Sequence, residues 1–253
     1  MRVYAKVLWL MAMCLLMPLG QARAQEDAAA IVRKAFTYMR GKASVATVTM
    51  TIHRPDWQRV VTIKSWTQGD TDSIFTITNP PKDRGNGTLK KGREMWMYNP
   101  KVNRVIKLPP SMMSQAWMGS DFSNNDLSKT DSIIKDYQHT LEGTKTIGGK
   151  KVYLVKCMPK PQAPVVWGMM TLKIRQDNIF LEQVFYDEDL KPVKILTFMD
   201  IKKMGDRLFP SRWRMQKAEA KDEYTLLEYQ HLEFKDSLPP GLFTLSSLRR
   251  PRH

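Results

Sequence analysis

After one helical stretch the hydrophobic period of this chain changes to two and stays there, which restricts the fold to one built on a sheet. Ala46, Val48, Met50 and Ile52 alternate with Thr47, Thr49, Thr51 and His53, the pattern of a strand with one buried face. Val61 and Ile63 lead into Trp66, residues 74–78 are rich in β-branched side chains, and Met95 and Met97 alternate with Trp96 and Tyr98. Further strands are predicted at 102–108, 151–158, 168–175, 179–186, 193–201, 209–217 and 224–234. Turn chemistry separates them: Arg54-Pro55-Asp56, Gln68-Gly69-Asp70, Asn99-Pro100, Gly148-Gly149, Asp177-Asn178 and Asp187-Glu188-Asp189. About eleven short strands joined by tight turns predict a mainly β chain with a few helices (α+β), organised as one antiparallel sheet that curls. No repeated βαβ pattern occurs, which excludes a doubly wound nucleotide-binding fold.

The helix precedes the strands. Between Glu26 and Arg40, apolar Ala28, Ile31, Val32, Ala35 and Met39 recur at three- and four-residue spacing. Glu26 and Asp27 fall at the positive end of the helix dipole, and Gly41 supplies a stop. A helix with one apolar face needs a surface to lie on.

The amino terminus is an expected export leader. Arg2 and Lys6 precede an uncharged run from Val7 to Leu19, and Ala22 and Ala24 supply the small side chains of a cleavage site. The run is shorter than the ~20 residues needed to cross a bilayer and contains Pro18. Residues 1–24 are therefore read as a cleaved signal peptide and 25–253 as a single domain, with a periplasmic location, possible membrane association and a monomeric state expected. Cys14 follows the bulky Met13, which does not suit lipid modification. The whole chain has 253 residues and a formal charge of +15, and the leader removes only Arg2, Lys6 and Arg23, leaving +12. In an exported protein that charge points to anionic lipid rather than nucleic acid. Cys157 is then the lone cysteine, so neither an intramolecular disulfide nor a cysteine-built zinc site is available.

Catalytic signatures are lacking in the sequence. The histidines at 53, 139, 231 and 253 form no ligand-spaced pair, and there is no Gly-x-Ser-x-Gly elbow, phosphate loop or dinucleotide fingerprint. Gly85-Asn86-Gly87 is read as a turn, and Cys157 as a small buried hydrophobe. The expectation is a non-enzyme with no cofactor and no metal. Carboxylates that meet only in three dimensions would make a hydrolase instead, and they leave no sequence signature.

Two features are unusual. Methionines cluster at 95, 97, 112, 113, 118, 169 and 170, and flexible thioethers suit both irregular cores and adaptable apolar cavities. In the stretch 109–127, Ser111 could cap a short helix that places Met112, Met113, Ala116 and Trp117 on one side, as a lid over a cavity. The expected lipid-binding side chains are Met50, Ile52 and Ile63 from early strands, Met95 and Met97 from the middle, and Met112, Met113, Trp117 and Met118 from the lid. The second feature is basic. Positions 82, 84, 90, 91, 93, 101, 104 and 107 are Lys or Arg against only Asp83 and Glu94, either a solvated strand face or a surface for anionic membranes or a lipid head group.

Several segments carry a family resemblance: Asp83-Arg84-Gly85-Asn86-Gly87, then Glu94-Met95-Trp96-Met97-Tyr98-Asn99-Pro100, then Arg104-Val105-Ile106-Lys107-Leu108-Pro109. The most specific is Trp117-Met118-Gly119-Ser120-Asp121-Phe122-Ser123-Asn124-Asn125-Asp126-Leu127. With them the chain resembles the larger branch of the outer membrane lipoprotein-sorting (LolA/LolB-like) proteins. That resemblance implies a strongly curved, unclosed antiparallel half-barrel with a helical lid over its concave face. It implies a carrier of lipoprotein or lipid acyl chains toward the outer membrane, partnered by an inner-membrane ABC- or RND-type transporter. The alternative is a periplasmic binding or sensor module that docks on such a transporter and carries nothing.

Overall fold

The computed structural model describes residues 27–250. The leader read at 1–24, Glu26 and the last three residues lie outside the described residues. Helix α1 (Ala28–Arg40) starts at Asp27, whose carboxylate accepts the Ala29 N–H at 2.9 Å. It ends at Gly41, where φ is 68°. A Cβ there would sit 2.6 Å from the Phe234 ring, so both conformation and space call for glycine.

Thirteen strands follow, all in one antiparallel sheet. The first six are β1 (Ala43–Arg54), β2 (Trp57–Gln68), β3 (Asp72–Asn79), β4 (Gly87–Lys91), β5 (Glu94–Asn99) and β6 (Arg104–Lys107). The other seven are β7 (Tyr137–Ile147), β8 (Lys150–Pro159), β9 (Met169–Arg175), β10 (Ile179–Tyr186), β11 (Pro192–Met204), β12 (Arg207–Lys217) and β13 (Tyr224–Lys235). Their spatial order is β6-β5-β4-β3-β2-β1-β13-β12-β11-β10-β9-β8-β7. Two meanders are thus joined in the middle by the pairing of β1 with β13. The strands β6 and β7 are consecutive in the chain yet form opposite edges, so the sheet is unclosed, as expected. Residues 108–136 must therefore run from one edge to the other across the concave side.

Two strands were invisible to pattern reading. In β4, Thr88 and Lys90 occupy buried positions that alternation assigns to apolar side chains. In β7, an edge strand, everything after Tyr137 is half-buried or exposed, and the sequence is mostly polar. Gly85-Asn86-Gly87, read as a turn, is half of one, since Gly87 opens β4. The segment expected as a strand at 102–108 forms pairs only over Arg104–Lys107, because a single 3-10 turn occupies Pro100–Val102.

The strap 108–136 also differs from expectation. Ser111 does not cap an α-helix; Pro110–Met112 forms a 3-10 turn. The capping residue is Ser123, whose hydroxyl accepts the Asp126 N–H while the Asp126 carboxylate accepts the Ser123 N–H, a reciprocal box that starts α2 (Asn124–Ser128). Helix α3 (Ser132–Lys135) follows and meets α1.

Packing occurs on both faces. On one side of the β1–β5 half, Ala43, Ile74, Leu89 and Tyr98 are covered by the tail residues Leu238, Leu242, Phe243 and Leu248, the last in α4 (Leu245–Arg249). On the concave side, Met50, Ile52, Val61, Ile63, Ile77 and Met95 pack against Leu108 and Trp117 of the strap. The Trp117 indole N–H donates to Thr88 Oγ1 at 3.0 Å, which satisfies two buried polar groups at once. Trp117→Ala is expected to lower unfolding free energy by about 3–5 kcal/mol and Thr88→Val by about 1 kcal/mol, read from urea midpoints.

Candidate functional site

Four aspartates spaced five apart hold the strap down, each reaching a different partner. Asp121 takes a bidentate ion pair from Arg54 of β1 at 3.0 and 3.1 Å and a hydrogen bond from the Thr225 hydroxyl at 2.7 Å. Asp126 pairs with Lys194 of β11 at 2.8 Å. Asp131 pairs with Lys90 of β4 at 3.6 Å and with Lys135 at 2.9 Å. Asp136 takes both oxygens to Arg93, at 3.0 and 2.8 Å. Sequence reading missed this device; the regular Asp spacing was its only trace.

Beneath the strap the side chains leave open a cavity of about 330 Å³, within the range of small-molecule sites. Its walls come from α1, the strap, the loop before β9, and the concave faces of both meanders. Seven phenylalanines, three tryptophans and two tyrosines line it, against three methionines, so the chamber is aromatic and not methionine-lined. Phe209, Trp213 and Tyr229 form a triangle of ring contacts at 5.0–5.8 Å, and Phe198 joins it through Trp213 at 5.0 Å.

Of the nine expected side chains, Ile63 and Trp117 line this cavity. Met50, Ile52, Met95, Met112, Met113, Met97 and Met118 belong to the packed cluster that seats the strap on β1, β2, β3 and β5. Ala46 and Val48 share a face of β1 with Met50 and Ile52 and line the chamber. Part of the aromatic wall lies where two bulges break the period of two. Leu181 is skipped between Phe180 and Glu182, which turns both Phe180 and Phe185 inward. Gln230 is skipped opposite β1, which does the same for Tyr229 and Leu232.

Polar groups also reach the chamber: Arg40, Ser44, Ser65, Thr67 and Ser73 at one part of its wall, and Lys129, Thr130 and Asp126 from the strap. Asp126 is already paired with Lys194. Among the described residues no group of three or more His, Cys, Asp or Glu could hold a metal ion, and no helix is long and apolar enough to cross a membrane. Cys157 is fully buried and burial pushes its thiol up to about 12, which makes it a packing residue.

Lys90, only 1 % exposed, is the most constrained cation. Burial pulls its ammonium down to about 8, against the opposing pull of Asp131. Burial would raise the Asp131 carboxyl, but the hydrogen bond from Lys135 and the charge of Lys90 outweigh it and hold it below the usual range. Because the folded value of Lys90 lies below its unfolded value of 10.5, the unfolded chain binds more protons between the two, and stability rises with pH across that window. The contribution is fully present above 10.5 and lost as pH falls through about 8. In urea titrations from pH 7.5 to 10.5, the Lys90→Met variant is expected to lack this rise; an identical slope in both proteins would refute it.

Comparison with known proteins places the architecture. Among curated proteins nothing matches the chain. A DUF1329 family protein from Desulfovibrio piger superposes with a TM-score of 0.77 at 21% identity, covering 88% of this chain and 99% of that one. A domain from Vibrio parahaemolyticus assigned as an outer membrane lipoprotein-sorting protein gives 0.76 at 20% identity, with 88% and 98% covered. A LolA superfamily protein from Nitrosomonas europaea gives 0.72 at 23% identity, with 87% and 98% covered. The resemblance read from the sequence is thus met by the fold. A family model described only as "Uncharacterized protein" matches residues 69–250. That span is more than half of the sequence, so this chain belongs to that family, and its fold is that of the LolA superfamily.

Proposed function

We propose that the protein is an exported, non-catalytic carrier that shields acyl chains of a lipoprotein or lipid in the chamber under residues 108–136 and moves them toward the outer membrane. The observation that carries this reading is the aromatic cavity itself: a sheet that only needed a core would fill it. Moving acyl methylenes from water into such a chamber is worth ~0.8 kcal/mol each, so roughly a dozen supply about 10 kcal/mol before ordering losses. Extraction of a chain from a membrane then needs no covalent chemistry.

Ile63 and Trp117 would touch cargo directly, together with Phe36, Phe198, Trp213 and Tyr229. The seven remaining candidates would act through the strap they seat. Five of the eight stripe cations, Lys82, Arg84, Lys91, Lys101 and Arg104, are exposed and have no carboxylate partner among the described residues. They are available to an anionic membrane surface. The handover partner at the inner membrane would be an ABC- or RND-type transporter.

Mass spectrometry of organic extracts from the detergent-free purified protein is expected to find acyl lipid, and the neutral dye N-phenyl-1-naphthylamine is expected to bind saturably. Ala46→Leu, which grows a side chain into the chamber, should weaken dye binding by about tenfold without lowering the melting midpoint, while Met112→Ala should change it less than about threefold. Absence of both co-purified lipid and saturable dye binding would sink the carrier reading.

A further inference from the structure

The chamber is not apolar throughout, and its polar part is arranged. Ser44 on β1, Thr67 on β2, Ser73 on β3 and Lys90 on β4 are successive register partners, so they form one row across the concave face. The next row is Ala46, Ser65, Phe75 and Thr88, and beyond it Val48, Ile63 and Ile77 are wholly apolar. Along the β1–β4 part of the wall, polarity is therefore confined to one end.

Arg40, the last residue of α1, lies over the polar row. Its Nε donates to the Gly69 carbonyl, and its Nη2 donates to the Asp72 carbonyl at 2.9 Å and to Ser73 Oγ at 3.1 Å. Those bonds fix the guanidinium against the β2–β3 hairpin. Among the described residues Nη1 has no hydrogen-bond partner, and no carboxylate lies within ion-pairing distance of Arg40. Burial disfavours its charge, the more distant carboxylates of Asp70, Asp131 and Asp72 favour it, and an arginine keeps its proton, so this cation lines a cavity with no carboxylate in direct contact.

The hydroxyls add donors. Ser44 Oγ and Thr67 Oγ1 are 2.8 Å apart and share one proton between them, which leaves the other free to donate. Ser73 accepts from Arg40 and so can donate its own proton. A wall that offers Nη1–H groups and two O–H groups, beside a buried Lys90, complements a group with several anionic oxygens.

We propose that this row is the head-group subsite of an anionic amphiphile, whose phosphate or carboxylate sits on Arg40, Ser44, Thr67 and Ser73 while its chains occupy the aromatic chamber. This rests on the carrier reading above and narrows its cargo from any acylated molecule to an acidic one.

The test is displacement of N-phenyl-1-naphthylamine from the purified protein by dioctanoyl phosphatidate, by dioctanoylglycerol with the same chains, and by inorganic phosphate. Phosphatidate is expected to displace the dye at about tenfold lower concentration than the diglyceride, the worth of one charge-assisted contact. Arg40→Gln should remove that preference. Because Arg40 also braces the hairpin, the Ser44→Ala/Thr67→Val double variant, which leaves the Arg40 bonds intact, should cut the preference to below about threefold. Equal displacement by the two amphiphiles in the wild type, or a preference that survives both variants, overturns the subsite and leaves the carrier standing. Competition by inorganic phosphate against phosphatidate at matching concentrations overturns the lipid assignment in favour of a free anion. If the protein neither binds the dye nor co-purifies with lipid, the carrier reading fails and this inference fails with it.

Discussion

The crossing of residues 108–136 is the constraint on which the rest of the structure depends. Strand order puts β6 and β7 at opposite edges, so the chain must traverse the concave face to continue. A traverse without partners would leave backbone groups and apolar walls facing water. Four aspartates meet that need, and three of the pairs they form, with Arg54, Lys90 and Lys194, are largely buried. Buried ion pairs contribute little net stability against a hydrophobic substitute, but removing one partner is strongly unfavourable. Their effect here is positional: each aspartate reaches a different basic side chain outside the strap, and together they fix where the strap lies over the sheet.

The sequence made the helix, the strand-rich plan and most of the strands legible because one face of each is buried and the period survives. It failed where burial and polarity were decoupled. Strand β4 hides Lys90 and Thr88, and no alternation rule assigns a lysine to an interior. Strand β7 is an edge with little to bury. The chamber lies under the strap and over the face of β1 that carries Ala46 and Val48, and its walls are mainly aromatic where methionine was expected. Three of the aromatic side chains that form them, Phe180, Phe185 and Tyr229, sit on strands whose bulges at Leu181 and Gln230 shift the facing by one residue, and a bulge leaves no mark in composition.

The basic stripe illustrates the same limit. Eight cations in one segment read as a single surface, yet the fold divides them. Lys90 is turned inward to Asp131, Arg93 clamps Asp136, and Lys107 pairs with Glu94, while the others remain outside. Which lysine of a pair such as Lys90 and Lys91 goes inward is decided by strand parity alone, and parity was not assigned because β4 itself was not seen. Charge counting therefore overstates what a membrane surface would meet and misses the cations that act within the molecule.

The exchange of methionine for aromatic walls changes the physics of the chamber. Methionine side chains rotate freely enough to close over a void, as the cluster around Met50, Met95 and Met112 does beneath the strap. Rings packed against one another, edge to face or tilted, cannot. The Phe198–Trp213–Phe209–Tyr229 network holds its shape through contacts between rings on β11, β12 and β13, and so preserves a volume that flexible side chains would fill. Volume kept open in this way is unfavourable, on the order of several kcal/mol for about 330 Å³ by the measured dependence on cavity size. That penalty, and an arginine without an ion-pair partner among the described residues along the same wall, are what the proposed amphiphile would offset.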